Sequence, residues 1–265
     1  MTGLYTVERE IGRGGAARVF FARDPGGTPV VLKILHPELL VSVTADRFLR
    51  EINILRRLEH PNVSKLIDSG ERDWLVYYVM PYIPGPTLKS ALEQRRRLEI
   101  DEVIRMGRDV LSGLEYAHGQ GIIHRDVKPE NIILGQSGAV LLDFGIARAI
   151  ELSGTERLTR SGIAVGTSSY MSPEQVSADD SIDHRTDLYS LGCLMFEGLA
   201  GRPPYQHPNE VVVLQMHQTD LVPDVRQHRP ETPAELASVI AKAMTKQPEA
   251  RWPTAAAMRE AIPDP

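Results

Sequence analysis

The feature that most constrains the fold is a break in patterning at Pro81, Pro84, Gly85 and Pro86. Proline removes a backbone donor and restricts the residue before it, so this cluster ends whatever regular element precedes it. Upstream the chain reads as β. Residues 5–11 roughly alternate, residues 18–22 are aromatic and β-branched, and residues 30–35 are a near-continuous apolar run. Asp24-Pro25-Gly26-Gly27 marks a turn. One helix interrupts, with Phe48, Ile52, Leu55 and Leu58 at helical spacing, and two further strands are expected near 63–68 and 74–80. Downstream the period becomes helical. Ile100, Val103, Ile104, Val110, Leu111 and Leu114 line one face of a long helix. Residues 188–199 are apolar almost all round, which indicates a helix buried on most sides, and 233–245 and 254–262 make two more. The pattern predicts an α+β chain: a β-rich lobe over 1–80, a hinge over 81–86 and a helical lobe over 87–265. Junctions of this kind tend to hold ligand pockets.

Composition narrows the function classes. A chain of 265 residues that is 42% hydrophobic can bury a sizeable core. Net charge is -5, with both signs interspersed, so no basic block argues for nucleic acid or an anionic membrane. Cys193 is the only cysteine, which excludes an intramolecular disulfide and makes a reducing compartment the expectation. No apolar run approaches a membrane span, and the N-terminus lacks a signal-peptide pattern.

The chemistry concentrates in His124-Arg125-Asp126-Val127-Lys128-Pro129-Glu130-Asn131, followed after one hairpin's length by Asp143-Phe144-Gly145. Asp126 supplies a carboxylate able to receive a hydroxyl's hydrogen. Asn131 and Asp143 supply the oxygen ligands that a hard cation such as Mg²⁺ prefers. Residues 132–134, a turn at 135–138 and residues 139–142 read as a hairpin that lets those two converge. Further upstream, the glycine-rich stretch 12–19 lies between two strands, where backbone N–H groups can cover phosphates. Lys33 lies in a strand apolar on both faces, and an ammonium there needs partners. Glu51, three residues after Phe48 and four before Leu55, lies beside the inward face of its helix.

This ordered set resembles the protein kinase catalytic core. Lys128 and Pro129 resemble the serine/threonine class. Asp143-Phe144-Gly145-Ile146-Ala147-Arg148 and Asp187-Leu188-Tyr189-Ser190-Leu191-Gly192 are similar to the bacterial eukaryotic-like kinases. The resemblance runs from Tyr5 to about Ile262. It implies a bilobal fold: a small antiparallel β-sheet lobe with one helix, a larger mainly helical lobe, and an ATP cleft between them. It implies that Lys33 binds the α and β phosphates and pairs with Glu51. Ile11, Gly12, Gly14, Val19, Val31 and Ile133 would contact the nucleotide. Met80 would guard the back of the pocket, with the Pro81 carbonyl and the Ile83 N–H meeting adenine. Asp126 would be the catalytic carboxylate, Lys128 would neutralise the transferring group, and Asn131 and Asp143 would hold Mg²⁺, with Mn²⁺ as a substitute. Thr167 would bridge Asp126 and Lys128, Glu174 would pair with Arg251, and Asp187 would brace the backbone at Arg125. Three positions depart from the family pattern: Ala17 replaces the third glycine of the phosphate loop, Val31 an alanine, and Ser172 the alanine of A-P-E.

An arginine before the catalytic aspartate needs an anion, and a phosphorylated loop residue would provide one. Thr159 and Ser161 are the preferred sites, followed by Thr155. The expected partners are ATP, protein substrates with serine or threonine acceptors, and a second copy in a transient homodimer for autophosphorylation in trans. The expected location is cytoplasmic, either alone or as the cytosolic part of a longer membrane-anchored protein. Two other readings stay open. A pseudokinase acting as an ATP-gated interaction module is disfavoured because no catalytic residue is missing. A small-molecule phosphotransferase is disfavoured by Lys128-Pro129 and the hydroxyl-rich segment through Glu174.

Overall fold

The structure is a computed structural model that describes residues 4–14, 16–37, 45–144, 168–179 and 182–265. The described residues up to Ile83 form one compact unit, and those from Pro84 onward form a second. Thr155, Thr159, Ser161 and Thr167, named above, lie outside the described residues.

The first unit is a five-stranded antiparallel sheet in the order β1-β2-β3-β5-β4, made of β1 (Thr6–Arg13), β2 (Ala17–Arg23), β3 (Pro29–Leu35), β4 (Asp68–Arg72) and β5 (Leu75–Pro81). Period-two alternation sorts its side chains. Ala22, Val30, Leu32, Tyr77 and Val79 form a buried cluster, with Phe20 and Ile34 packed against it. The helix α1 (Ala45–Asn53) buries Phe48 and Ile52, and a 3₁₀ turn over Ile54–Arg57 continues it.

One expected strand is displaced. Residues 63–67 are not a strand, although Val63 and Leu66 are buried, and β4 begins at Asp68. Burial and strand formation both favour apolar residues, so Val63, Leu66 and Ile67 alone did not distinguish them. The register is fixed further along. Asp73 and Trp74 both have positive φ, 51° and 67°, and join Arg72 directly to Leu75 across a two-residue turn. Trp74 is 86% exposed on that turn.

The second unit is mainly helical. Its elements are α2 (Leu88–Arg95), α3 (Ile100–Gly119), the hairpin β6 (Ile132–Gly135) and β7 (Gly138–Leu141), then α4 (Pro173–Val176), α5 (Arg185–Ala200), α6 (Glu210–Thr219), α7 (Ala234–Ala243) and α8 (Ala255–Ala261). A capping box between Glu99 and Glu102 starts α3. The helix α5 is buried along most of its length, as its apolar sequence predicts, and Gly201 ends it in the left-handed region at φ 73°. Trp252 donates from Nε1 to the Val239 carbonyl at 3.1 Å, and the Lys242 ammonium lies 3.9 Å over its ring. The β6–β7 hairpin is tied to α3 because Asp109 accepts the Ala139 N–H at 2.8 Å. It is tied to the chain entering α2 because Leu134 N–H donates to the Pro86 carbonyl at 2.9 Å. Gly85, at φ 143°, makes that approach feasible: a Cβ there would collide with the Leu134 carbonyl. No helix among the described residues is long and apolar enough to cross a membrane.

Candidate active site

In the first unit, register gathers the residues expected to hold a nucleotide. Gly12 pairs with Val19, Val19 with Lys33, and Lys33 with Tyr78. The next row on the same face is Phe21, Val31 and Met80. Directly opposed residues point the same way, as do residues two apart, so Val19, Val31, Lys33 and Met80 share one face of the sheet. That face is opposite the Val30–Leu32–Val79 cluster. Lys33 and Val31 are half-buried, and the Lys33 ammonium lies 5.9 Å from the Tyr78 ring centroid. Ile11 is exposed on β1, and Gly14 closes the turn by donating its N–H to the Ala17 carbonyl at 2.9 Å. Pro81 stands opposite Val30 at the end of β5, Tyr82 N–H donates to the Pro29 carbonyl, and Ile83 follows, half-buried. Glu51 is half-buried on α1, but among the described residues no ion pair within 4.0 Å joins it to Lys33.

In the second unit, the loop before β6 is built around buried polar groups. Asp126 Oδ2 lies 2.7 Å from the Lys128 ammonium and accepts from Asn131 Nδ2 at 3.1 Å. The same Asn131 nitrogen donates to the Asp126 carbonyl at 2.8 Å. The amide nitrogen of Asn131 therefore faces Asp126, which fixes the flip of the side chain. Leu142, next to Asp143, is held at both backbone groups: its N–H donates to the Asn131 carbonyl at 2.8 Å, and its carbonyl accepts from His124 Nε2 at 2.6 Å. Asp126 N–H donates to His124 Nδ1 at 3.1 Å, so His124 carries its proton on Nε2. The Phe144 ring packs edge-on to His124 with centroids 4.7 Å apart. Ile133, on β6, forms a bridge with Thr87.

Arg125 and Asp143 are left-handed at φ 66° and 59°. Such backbones are uncommon outside glycine and persist where surroundings hold them. Asp187, at the start of α5, does much of the holding. Its Oδ1 accepts Arg125 N–H at 2.8 Å, and its Oδ2 accepts His124 N–H at 2.9 Å and His118 Nε2–H at 2.8 Å. Burial alone would raise this carboxyl's pKa, but the His118 bond and charge, with the His124 N–H, hold it below its ordinary value. At the start of α4, Glu174 makes a two-pronged pair with Arg251, both contacts 2.7 Å. The Arg251 side chain is fully buried and also donates to the carbonyls of Thr245 and Lys246.

Reasoning from sequence did not find Gln175, whose Nε2 donates to the Arg125 carbonyl at 2.8 Å. A signal was present: Ser172 and Gln175 have capping-box spacing, and both halves of that box form. It also missed His118, which carries no motif of its own.

As a donor set the site suits a hard cation. Asn131 and Asp143 offer oxygens, and among the described residues no cluster of three or more His, Cys, Asp or Glu competes as a metal centre.

Residues 5–261 match the family model described as the protein kinase domain. A probable serine/threonine-protein kinase of Streptomyces coelicolor is 37% identical over 97% of the chain. The serine/threonine-protein kinase PknB of Mycolicibacterium smegmatis is 38% identical over 98%, and the probable PknB of Bifidobacterium longum 36% identical over 98%. The chain spans 39%, 42% and 39% of the lengths of those three curated relatives, respectively.

Proposed function

Because the chain belongs to the protein kinase family, we propose that it transfers the γ-phosphoryl group of ATP to serine and threonine hydroxyls of proteins. The observation that carries this reading is the loop cluster of Asp126, Lys128 and Asn131, joined by contacts of 2.7 and 3.1 Å and braced by Asp187. Residues 1–80 act as the nucleotide-side lobe, 81–86 as the hinge and 87–265 as the acceptor-side lobe.

Asp126 orients the acceptor hydroxyl and receives its hydrogen. Phosphoryl transfer passes through a loose transition state, so orientation matters more than early deprotonation. Lys128 places positive charge beside the oxygen that Asp126 engages. Asn131 and Asp143 hold the divalent cation, Mg²⁺ or Mn²⁺, which when bound neutralises charge on the phosphates. Lys33 contacts the α and β phosphates, with Glu51 as its partner in the active arrangement. Gly12 and Gly14 cover the phosphates. Ile11, Val19, Val31 and Ile133 flank adenine, Met80 lies behind it, and Pro81 and Ile83 offer a carbonyl and an N–H. Thr167 bridges Asp126 and Lys128. A protein acceptor is supported by Lys128-Pro129 and the hydroxyl-rich segment through Glu174. The kinase acts in the cytoplasm, and autophosphorylation at Thr159 and Ser161 proceeds in trans through a transient homodimer.

The test is incubation of the purified chain with Mg²⁺ and γ-labelled ATP, beside an Asp126→Asn control. Label on serine or threonine that disappears in the control is expected. ATP binding without label would favour the pseudokinase reading. Full activity in a Thr159→Ala, Ser161→Ala double variant would remove those two sites from the scheme.

A further inference from the structure

Arg125 is held in its left-handed conformation at both ends of its backbone by side chains from other elements. Its N–H goes to Asp187 on α5 and its carbonyl to Gln175 on α4, each at 2.8 Å. At the other end of the Gln175 amide, Oε1 accepts from the Ser172 N–H at 3.1 Å and the Ser172 hydroxyl at 3.2 Å. Ser172 Oγ also lies 2.6 Å from Thr186 Oγ1, and Thr186 precedes Asp187 in the chain. The two supports of Arg125 are thus linked to each other.

We propose that Gln175 is a positioning residue for phosphoryl transfer: its amide holds the peptide joining Arg125 to Asp126 and so aims the Asp126 carboxylate. The inference rests on the kinase reading above. Its chemical basis is that the site needs one side chain that accepts from Ser172 and donates to a carbonyl. An amide does both, whereas an ionised carboxylate only accepts. Without the donor, the Arg125 carbonyl loses its partner and the strained residue loses one of its two supports.

The experiment compares Gln175→Met and Gln175→Glu with the parent chain, measuring kcat, KM for ATP and amide hydrogen exchange over residues 122–128. Gln175→Met keeps the volume and removes the amide. It is expected to lower kcat by between about 10- and 100-fold, with KM for ATP changed by less than about 2-fold, because the loss is one of aim. Gln175→Glu is expected to lose as much near pH 8 and to recover relative to the parent as the pH falls from about 6 toward about 4.5, close to the ordinary glutamate pKa of about 4.3, where the acid form regains a donor. The other ionisable groups of the loop titrate in parent and variant alike, so the ratio isolates residue 175. A side chain that only fills space would give a pH-independent loss. Unchanged kcat in Gln175→Met, or a Gln175→Glu deficit equal at all pH values, overturns the proposal. Should the parent chain itself transfer no phosphate, the kinase reading fails, and hydrogen exchange decides the support alone: faster exchange in Gln175→Met upholds it, and unchanged exchange rejects it.

Discussion

Asp187 serves three donors with one carboxylate, and they come from two places in the chain: His118 at the end of α3, and the backbones of His124 and Arg125. Asp187→Asn keeps the shape but turns one oxygen into a donor, which then faces a donor. The expected result is a kcat loss of at least about 10-fold and destabilisation of about 1–3 kcal/mol, read from steady-state kinetics and denaturant unfolding. At this scale the sequence was partly legible. Asp126, Lys128 and Asn131 stand so close in the chain that their convergence needs only a turn, and their spacing announced it. Asp143 required the hairpin, and Gly135 and Gly138 signalled that. Gln175 was not legible as a support for Arg125, since 50 residues separate them and only tertiary packing brings the amide to that carbonyl.

Among elements, the junction of α4 with the chain entering α8 is the most exacting, because it buries an ion pair. The Glu174 side chain is 9% exposed and that of Arg251 is not exposed at all. Arg251→Met leaves a buried carboxylate without its partner and is expected to cost about 3–5 kcal/mol. Adding Glu174→Leu should return part of that loss. Recovery will be incomplete, because the carbonyls of Thr245 and Lys246 also lose a donor. A double-mutant cycle by chemical denaturation measures both. The helix α3 was legible because its apolar periodicity extends over many turns, and α5 because it is apolar almost all round. The strand β4 was not: Asp68–Arg72 is polar, and of residues 63–67 before it only Val63 and Leu66 are buried, from positions outside the ladder. Its position depends on a turn at Asp73–Trp74, and tryptophan is not a residue that signals positive φ.

Across the whole molecule, acid stability has an identifiable contributor in His217. Its imidazole is fully buried, with Nδ1 2.8 Å from the Tyr189 hydroxyl. Burial, and then the nearby Lys246 charge, hold its pKa down at about 3 against an ordinary 6.5. The native state therefore resists a proton that the unfolded chain accepts. Stability from this group is complete above about pH 6.5 and declines as the pH falls toward about 3, with roughly 2 kcal/mol lost by about pH 5. Thermal unfolding across that range should show the slope, and His217→Gln should flatten it.

The sequence holds only two tryptophans, and the fold has put one in each unit: Trp74 on the exposed turn of the sheet, Trp252 beneath Lys242 among the helices. Their emission is separable by environment, since a soluble quencher reaches the exposed indole far more readily. Trp74→Phe would leave a fluorophore that reports on the helical unit alone, and Trp252→Phe one that reports on the sheet. The protein thereby carries an intrinsic two-channel optical probe, able to tell whether its halves melt, or respond to nucleotide, together or in turn.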